Sequence, residues 1–176
     1  MPNDYEKIYR EQRHALGEPS KEIIRFFEQM PPSLHVLDVG CGQGRDALAI
    51  GRLGHHVVGV DLSKSGIAQL QEDAEREGLP IQGIAADILE FEPSGLFDII
   101  LFDRTLHMLN ATDRLRVLTR LQEYVKKEGY LLINDQKKNL PEMESLLIRT
   151  NGSWVIRKNK EGFYLSRTVN CRVFQI

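Results

Sequence analysis

Short apolar runs recur along the chain with little polar alternation, and segments with apolar residues at helical spacing separate them. Residues 34–39, 56–61, 81–86, 97–102 and 130–134 are rich in Val, Ile and Leu, and predict strands covered on both faces. Residues 45–53, 65–77 and 113–126 predict helices, with Ile67, Leu70 and Ala74 on one stripe and Leu115, Leu118, Leu121 and Val125 on another. Ser63 and Thr112 are placed to cap two of these helices, and Gly78 and Gly129 to stop them. Repeated βα units with right-handed crossovers predict an α/β, doubly wound parallel sheet.

Two segments fall outside that rhythm. Residues 4–16 and 20–30 predict helices separated by Gly17-Glu18-Pro19, the second ended by Pro31-Pro32. After the fifth strand a helix is expected near 140–149, then strands at 153–158 and 163–174 joined by Asn159-Lys160-Glu161-Gly162. That polar turn suits a hairpin, so one strand should run against the others. With 176 residues and no repeat or linker, one domain is expected over 1–176. Its parts are a helical lid (1–33), a ligand-binding core (34–136), and a helix with a hairpin (137–176).

The turn after the first strand reads Asp38-Val39-Gly40-Cys41-Gly42-Gln43-Gly44. Alternating glycines let the backbone bend sharply and let a ligand lie against the main chain. No GK[ST] follows, so a P-loop is excluded, and the third glycine comes one residue too early for a dinucleotide fingerprint. A carboxylate such as Asp38 repels a diphosphate but favours an ammonium or sulfonium. Asp61 ends the second strand, where an acid can accept both hydroxyls of a ribose. Asp87 ends the third strand, placed to accept from an exocyclic amine, and Asp103 ends the fourth. Ligands of open α/β sheets bind at these strand ends. S-adenosylmethionine, with a cationic sulfur, an ammonium, a ribose and an adenine but no phosphate, satisfies the pattern.

The chain resembles the class I S-adenosylmethionine-dependent methyltransferases. VLDVGCGQGRDA is similar to the first family motif and VVGVDLS to the second; IAADILEF, FDIILFDRTLHML and LQEYVKKEGYLLI are similar to the third, fourth and fifth. The resemblance covers about residues 34–135 and implies a Rossmann-like seven-stranded sheet, order 3-2-1-4-5-7-6, with strand 7 antiparallel and the N-terminal helices over the site. It further implies that Asp38, Gly40, Gly42 and Gly44 hold the methionine portion and that Asp61 holds the ribose, with Cys41 and Leu62 among the cofactor-binding residues. Ala86, Asp87 and Ile88 would hold the adenine, with Phe102 and Asp103 completing the cofactor site. Cys41 is expected to be a packing residue whose backbone meets the ligand. A subgroup likeness, carried by Gly17-Glu18-Pro19-Ser20 and the GRDAL that follows the glycines, is to compact tellurite-resistance and thiol methyltransferases.

Composition narrows the class. At 41% hydrophobic and 27% charged residues, the chain fits a globular protein without a membrane span. Met1-Pro2-Asn3-Asp4-Tyr5-Glu6 lacks the features of a secretory leader, and Cys41 and Cys171 suggest no disulfide framework, so a cytoplasmic location is expected. His55-His56 precede a strand at the end of the sheet away from the crevice, and no metal is expected. The net charge of −2 divides unevenly: residues 137–176 carry +5 and the remainder −7.

Methyl transfer needs alignment above all, and a base only where the nucleophile carries a proton. No catalytic residue is therefore fixed by spacing; His107 and Arg104 are the candidates. The acceptor side is expected above the fourth and fifth strands, under the N-terminal helices. Tyr9 and Arg13, four apart on one helical face, join Arg104 and His107 as substrate-side residues; the alternative for Arg104 is a pairing with Asp103 or Asp135. No [DNS]PP[YFW] follows the fourth strand, and no added nucleic-acid-binding domain fits the length. A small-molecule acceptor is expected, and a monomer or weak dimer. The alternatives are methylation of tRNA or rRNA, drawing on the basic C-terminal region, and non-catalytic binding of the cofactor.

Overall fold

The protein is represented by a computed structural model that describes residues 4–139, 141, 154–158 and 163–168. The chain divides into two compact units, Met1–Glu92 and Pro93–Ile176.

In the first unit, β1 (His35–Val39), β2 (His56–Asp61) and β3 (Ile81–Ala85) pair in parallel in the order β3-β2-β1. Asp38 lies opposite Gly59 and Asp61 opposite Ala85, so both acids arrive at the same end of their strands. Four helices accompany them: α1 (Tyr5–Glu11), α2 (Lys21–Phe27), α3 (Arg45–Arg52) and α4 (Lys64–Glu77). Val36, Leu37, Val60, Ile50 and Leu70 are fully buried, each worth roughly 1.5–3 kcal/mol relative to exposure. Ser63 caps α4 as expected, its Oγ accepting from the Gly66 N–H at 2.9 Å, and left-handed Gly78 ends it.

The first two helices are shorter than their sequence patterns. Residues 12–16 leave the helix because Gln43, from the glycine turn, takes over their backbone groups. Its Nε2 donates to Gln12 O at 2.6 Å and its Oε1 accepts from Ala15 N at 2.8 Å. α2 stops at Phe27, before Pro31-Pro32 are reached.

In the second unit, β4 (Phe97–Asp103) pairs in parallel with β5 (Val125–Asn134); β5 pairs antiparallel with β7 (Phe163–Thr168), and β7 antiparallel with β6 (Trp154–Lys158). One helix, α5 (Ala111–Leu121), joins β4 to β5. Two expectations are corrected here. Asn110, not Thr112, caps α5: its Oδ1 accepts from Asp113 N at 2.9 Å while its Nδ2 donates to Asp113 Oδ2 at 2.6 Å. That reciprocal pair outcompetes a lone threonine. Gly129 does not stop the helix, which gives way to a 3-10 turn at Gln122–Tyr124 and then to β5 at Val125. Instead Gly129 lies within an irregularity of β5, where Val125 pairs with Phe97 but Tyr130 pairs with Ile99. A Cβ at residue 129 would come 2.7 Å from Asp98 O, so only glycine permits the approach. Of the helix expected near 140–149 only residue 141 is described; residue 153, the turn 159–162 and the end of the strand expected to reach 174 lie outside the described residues. No described helix is long and apolar enough to cross a membrane.

Candidate functional site

The turn between β1 and α3 is built from left-handed backbone: φ is +78° at Gly40, +56° at Gly42 and +81° at Gly44. A residue with a Cβ meets a penalty of roughly 1–2 kcal/mol at each such position. Internal partners consume the turn's N–H groups. Gly40 N and Cys41 N donate to Val60 O at 2.7 and 3.1 Å, Gly42 N to Asp61 Oδ2 at 2.9 Å, and Gly44 N to Cys41 O at 2.9 Å. A phosphate site needs donors aimed outward. This turn presents carboxylates instead.

Asp38 is buried, only 3% exposed. Burial, then the charges of Asp46 and Asp61, hold its carboxyl well above the usual range, against the opposing pull of Arg45 and a hydrogen bond from the Ala47 N–H. Arg45 is itself engaged with Asp46, its Nη2 lying 2.7 Å from Oδ2. Burial also raises Asp61, although hydrogen bonds from Ser63 N and Gly42 N oppose the shift. Asp61 Oδ1 accepts the Ser63 N–H at 2.8 Å. A carboxylate has about four lone-pair sites, so Asp61 keeps capacity for two further donors. With Arg45 taken by Asp46, Asp38 and Asp61 are left, among the described residues, without a cationic side chain bonded to them, and a bound cation would favour their ionised forms. The Cys41 thiol, pushed up by burial and then by Asp38, stays protonated, in keeping with a packing role.

β3 ends at Ala85, two residues before Asp87, which corrects the placement of that acid at the strand end. Ala86 N donates to Asp61 O at 2.9 Å, tying the segment to β2. Asp87 is exposed, and its Oδ1 accepts Leu89 N at 2.9 Å, a turn-forming bond that leaves its other oxygen at the surface. Ile88 is half-buried, whereas Leu62, just past Asp61, is 71% exposed. An apolar side chain so exposed beside a strand-end carboxylate offers a flat base something to rest on.

The α1 segment closes over the glycine turn. Tyr9 is buried, and its ring lies on Gly42 and Gly66. Gln69 Nε2 donates to Tyr9 O at 2.5 Å, and Gln43 Nε2 lies 2.6 Å from Gln69 Oε1. Glu6 accepts from Ser63 Oγ at 2.6 Å and from Ser65 Oγ at 2.6 Å, which draws its carboxyl down to about 2. Arg13 does not share a helical face with Tyr9, because α1 ends at Glu11. It pairs with Glu72 and Asp73 of α4, each at 2.8 Å. The sequence reading missed Gln43 and Glu6, and only their positions in the turn and in the lid could have marked them.

In the second unit, Phe102 is fully buried, so its side chain is core and only its main chain can meet a ligand. Asp103 Oδ1 accepts from Asn134 Nδ2 at 2.5 Å. Arg104 is exposed with φ +53°, and its N–H donates to Asn134 O at 2.8 Å. Among the described residues its guanidinium has no ion-pair partner; Asp135 is taken by His107 instead. His107 sits in the 3-10 turn Leu106–Met108, with its N–H 3.0 Å and its Nδ1 3.4 Å from Asp135 Oδ2. Among the described residues no group of three or more His, Cys, Asp or Glu could hold a metal ion.

Residues 36–129 match the model of a methyltransferase-domain family. The chain is 35% identical over 98 residues to the S-adenosyl-L-methionine-dependent methyltransferase TehB of Haemophilus influenzae strain 10810, covering 56% of this chain and 34% of TehB. It is 32% identical over 106 residues to a ubiquinone biosynthesis O-methyltransferase of Bradyrhizobium diazoefficiens, covering 60% of this chain and 41% of that protein. The chain thus spans less than half the length of these relatives. Among solved structures it resembles magnesium protoporphyrin IX methyltransferase from Synechocystis with bound S-adenosylmethionine. The TM-score is 0.68 at 16% identity, over 83% of this chain and 74% of that one, a likeness of fold.

Proposed function

The chain belongs to the methyltransferase-domain family, of the class I S-adenosylmethionine-dependent type, and from that premise we propose that it transfers a methyl group from S-adenosylmethionine to a small-molecule acceptor. The observation that carries the cofactor reading is the pairing of buried Asp38 and half-buried Asp61 with a glycine turn whose N–H groups face inward. Such a site disfavours phosphate and favours an onium centre with a hydroxyl-bearing sugar. Asp38, Gly40, Gly42 and Gly44, with the Cys41 backbone, would hold the methionine portion, Asp61 the ribose, and Ala86, Asp87 and Ile88 the adenine, with Leu62 against the base. Phe102 and Asp103 are cofactor-side residues by the family resemblance alone. When bound, the cofactor supplies a methyl group already activated on sulfur. The protein's part is to fix the reactants in line and exclude water, and the Tyr9 lid supports the second task.

The expected single-sheet order, 3-2-1-4-5-7-6, belongs to this reading. The parallel trio in one unit and the run β4-β5-β7-β6 in the other, each in that order, support it. The small-molecule acceptor is supported by a relative named for ubiquinone biosynthesis. On the acceptor side we place Arg104 and His107; Tyr9 covers the cofactor turn, and Arg13 anchors the lid. The +5 charge of residues 137–176 favours RNA as the second reading.

Calorimetric titration with S-adenosylhomocysteine tests the first step, and methyl transfer from labelled S-adenosylmethionine to thiols, phenols, metalloid oxyanions and bulk tRNA tests the second. Saturable binding with transfer to one of the small acceptors is expected. Transfer to tRNA alone would replace the small molecule by RNA. Uptake of NADH or ATP in place of S-adenosylhomocysteine would overturn the cofactor reading.

A further inference from the structure

The turn that carries His107 is held from two sides by buried charged groups of opposite sign. From α5, buried Arg114 donates from Nε to Leu106 O at 3.1 Å and from Nη2 to Leu109 O at 3.0 Å. Just past β5, Asp135 accepts from the His107 N–H and faces the ring Nδ1 with the same oxygen. The Asp135 side chain is 0% exposed and that of His107 24%. The second Asp135 oxygen is engaged by Gln136 N at 2.7 Å and Asn139 Nδ2 at 3.4 Å, so the carboxylate cannot rotate freely.

Burying a carboxylate and a guanidinium around one short turn is costly unless each is fully hydrogen-bonded. Here Arg114 bonds the carbonyls of Leu106 and Leu109 on either side of His107, and Asp135 bonds the His107 N–H and faces its partly exposed imidazole. An acceptor fixed opposite Nδ1 selects the tautomer with the proton on that nitrogen, which leaves Nε2 as the ring's open lone pair. The same logic orients a base by a buried acid in hydrolytic triads.

We propose that Asp135 is a positioning residue that holds His107 as proton acceptor for a methyl acceptor carrying an O–H, N–H or S–H. This rests on the methyltransferase reading above. The proton passes from the acceptor to His107 Nε2. The electron pair left on the acceptor atom forms the bond to the methyl carbon, and the former carbon–sulfur pair stays on the departing thioether. Arg114 supports the arrangement by bracing both carbonyls of the turn.

Nitrogen-15 spectra of histidine-labelled protein test the arrangement without any turnover. The neutral His107 ring is expected to carry its proton on Nδ1 in the wild type and to become a tautomer mixture in Asp135→Ala. Asp135→Asn, which keeps a side-chain oxygen near Nδ1, should restore much of the preference. In methyl transfer, Asp135→Ala and His107→Gln are each expected to lower kcat at least tenfold, with the Kd for S-adenosylhomocysteine unchanged. A wild-type ring protonated on Nε2 would overturn the proposal even if the variants fail to fold. An unaltered tautomer in Asp135→Ala, or full kcat in His107→Gln, would also overturn it. Failure to bind S-adenosylhomocysteine would instead sink the cofactor reading, leaving the spectra to judge the His107–Asp135 pair alone.

Discussion

The ring of Tyr9 lies so close to the backbone of Gly42 that a Cβ added there would fall 2.5 Å from the phenol oxygen. The glycine demanded by the turn is therefore also demanded by the lid. The phenol is buried beside Asp61, and both effects raise its pKa, so it stays protonated at neutral pH.

Gly42→Ala should lower stability through two separable causes, the left-handed φ and the collision with Tyr9. The backbone part is roughly 1–2 kcal/mol. Adding Tyr9→Ala should relieve only the collision, so the double-mutant cycle should show coupling above roughly 0.5 kcal/mol. Thermal or urea denaturation measures this; strictly additive losses would mean that the ring yields without cost.

Asp61→Ala should weaken S-adenosylhomocysteine binding by roughly 1–3 kcal/mol, the range for hydrogen bonds to a charged group. It should also lower stability, because Gly42 N and Ser63 N lose their acceptor. Calorimetry and denaturation together read both effects. An unchanged Kd with lowered stability would restrict Asp61 to a structural role.

Buried Asp38 and half-buried Asp61 should set opposite pH trends for folding and binding. Asp38 and Asp61 have carboxyls raised by burial, so the folded chain holds their protons longer than the unfolded chain does. Their contribution to stability should fall as pH rises from about 4 through the folded values. Binding of a cation wants the ionised form and should strengthen over the same window. Asp38→Asn should accordingly stabilise the ligand-free protein at neutral pH while weakening cofactor binding. Lower stability in Asp38→Asn at neutral pH would contradict the sign.

The Glu6 latch should behave the other way. Hydrogen bonds from Ser63 and Ser65 draw its carboxyl down to about 2. Its contribution should be complete above the ordinary glutamate value and disappear only as pH falls towards 2. Glu6→Gln should raise amide exchange in α1 at neutral pH while exchange in α4 changes little. Equal protection of α1 in both proteins would show that the latch holds nothing.

The strand-forming runs and the glycine turn were legible because one period and one short motif fixed them locally. Asp38 and Asp61 were legible for the same reason, each tied to a strand end by register. What stayed hidden depends on side chains that meet across long stretches of chain. Gln43 drew residues 12–16 out of helix, and Arg13, read as a helical neighbour of Tyr9, became an anchor on α4. Gly129 read as a stop signal because close backbone approach and helix termination favour the same residue. Asp135 was visible as a possible partner for Arg104, but nothing in the spacing tied it to His107.

Arg104 keeps a long, charged side chain on a backbone angle that glycine would adopt without strain. Stability and activity should therefore disagree about this position. In a library of every residue type at 104, a sort for survival of heat should return glycine, and a sort for methylated product should return arginine.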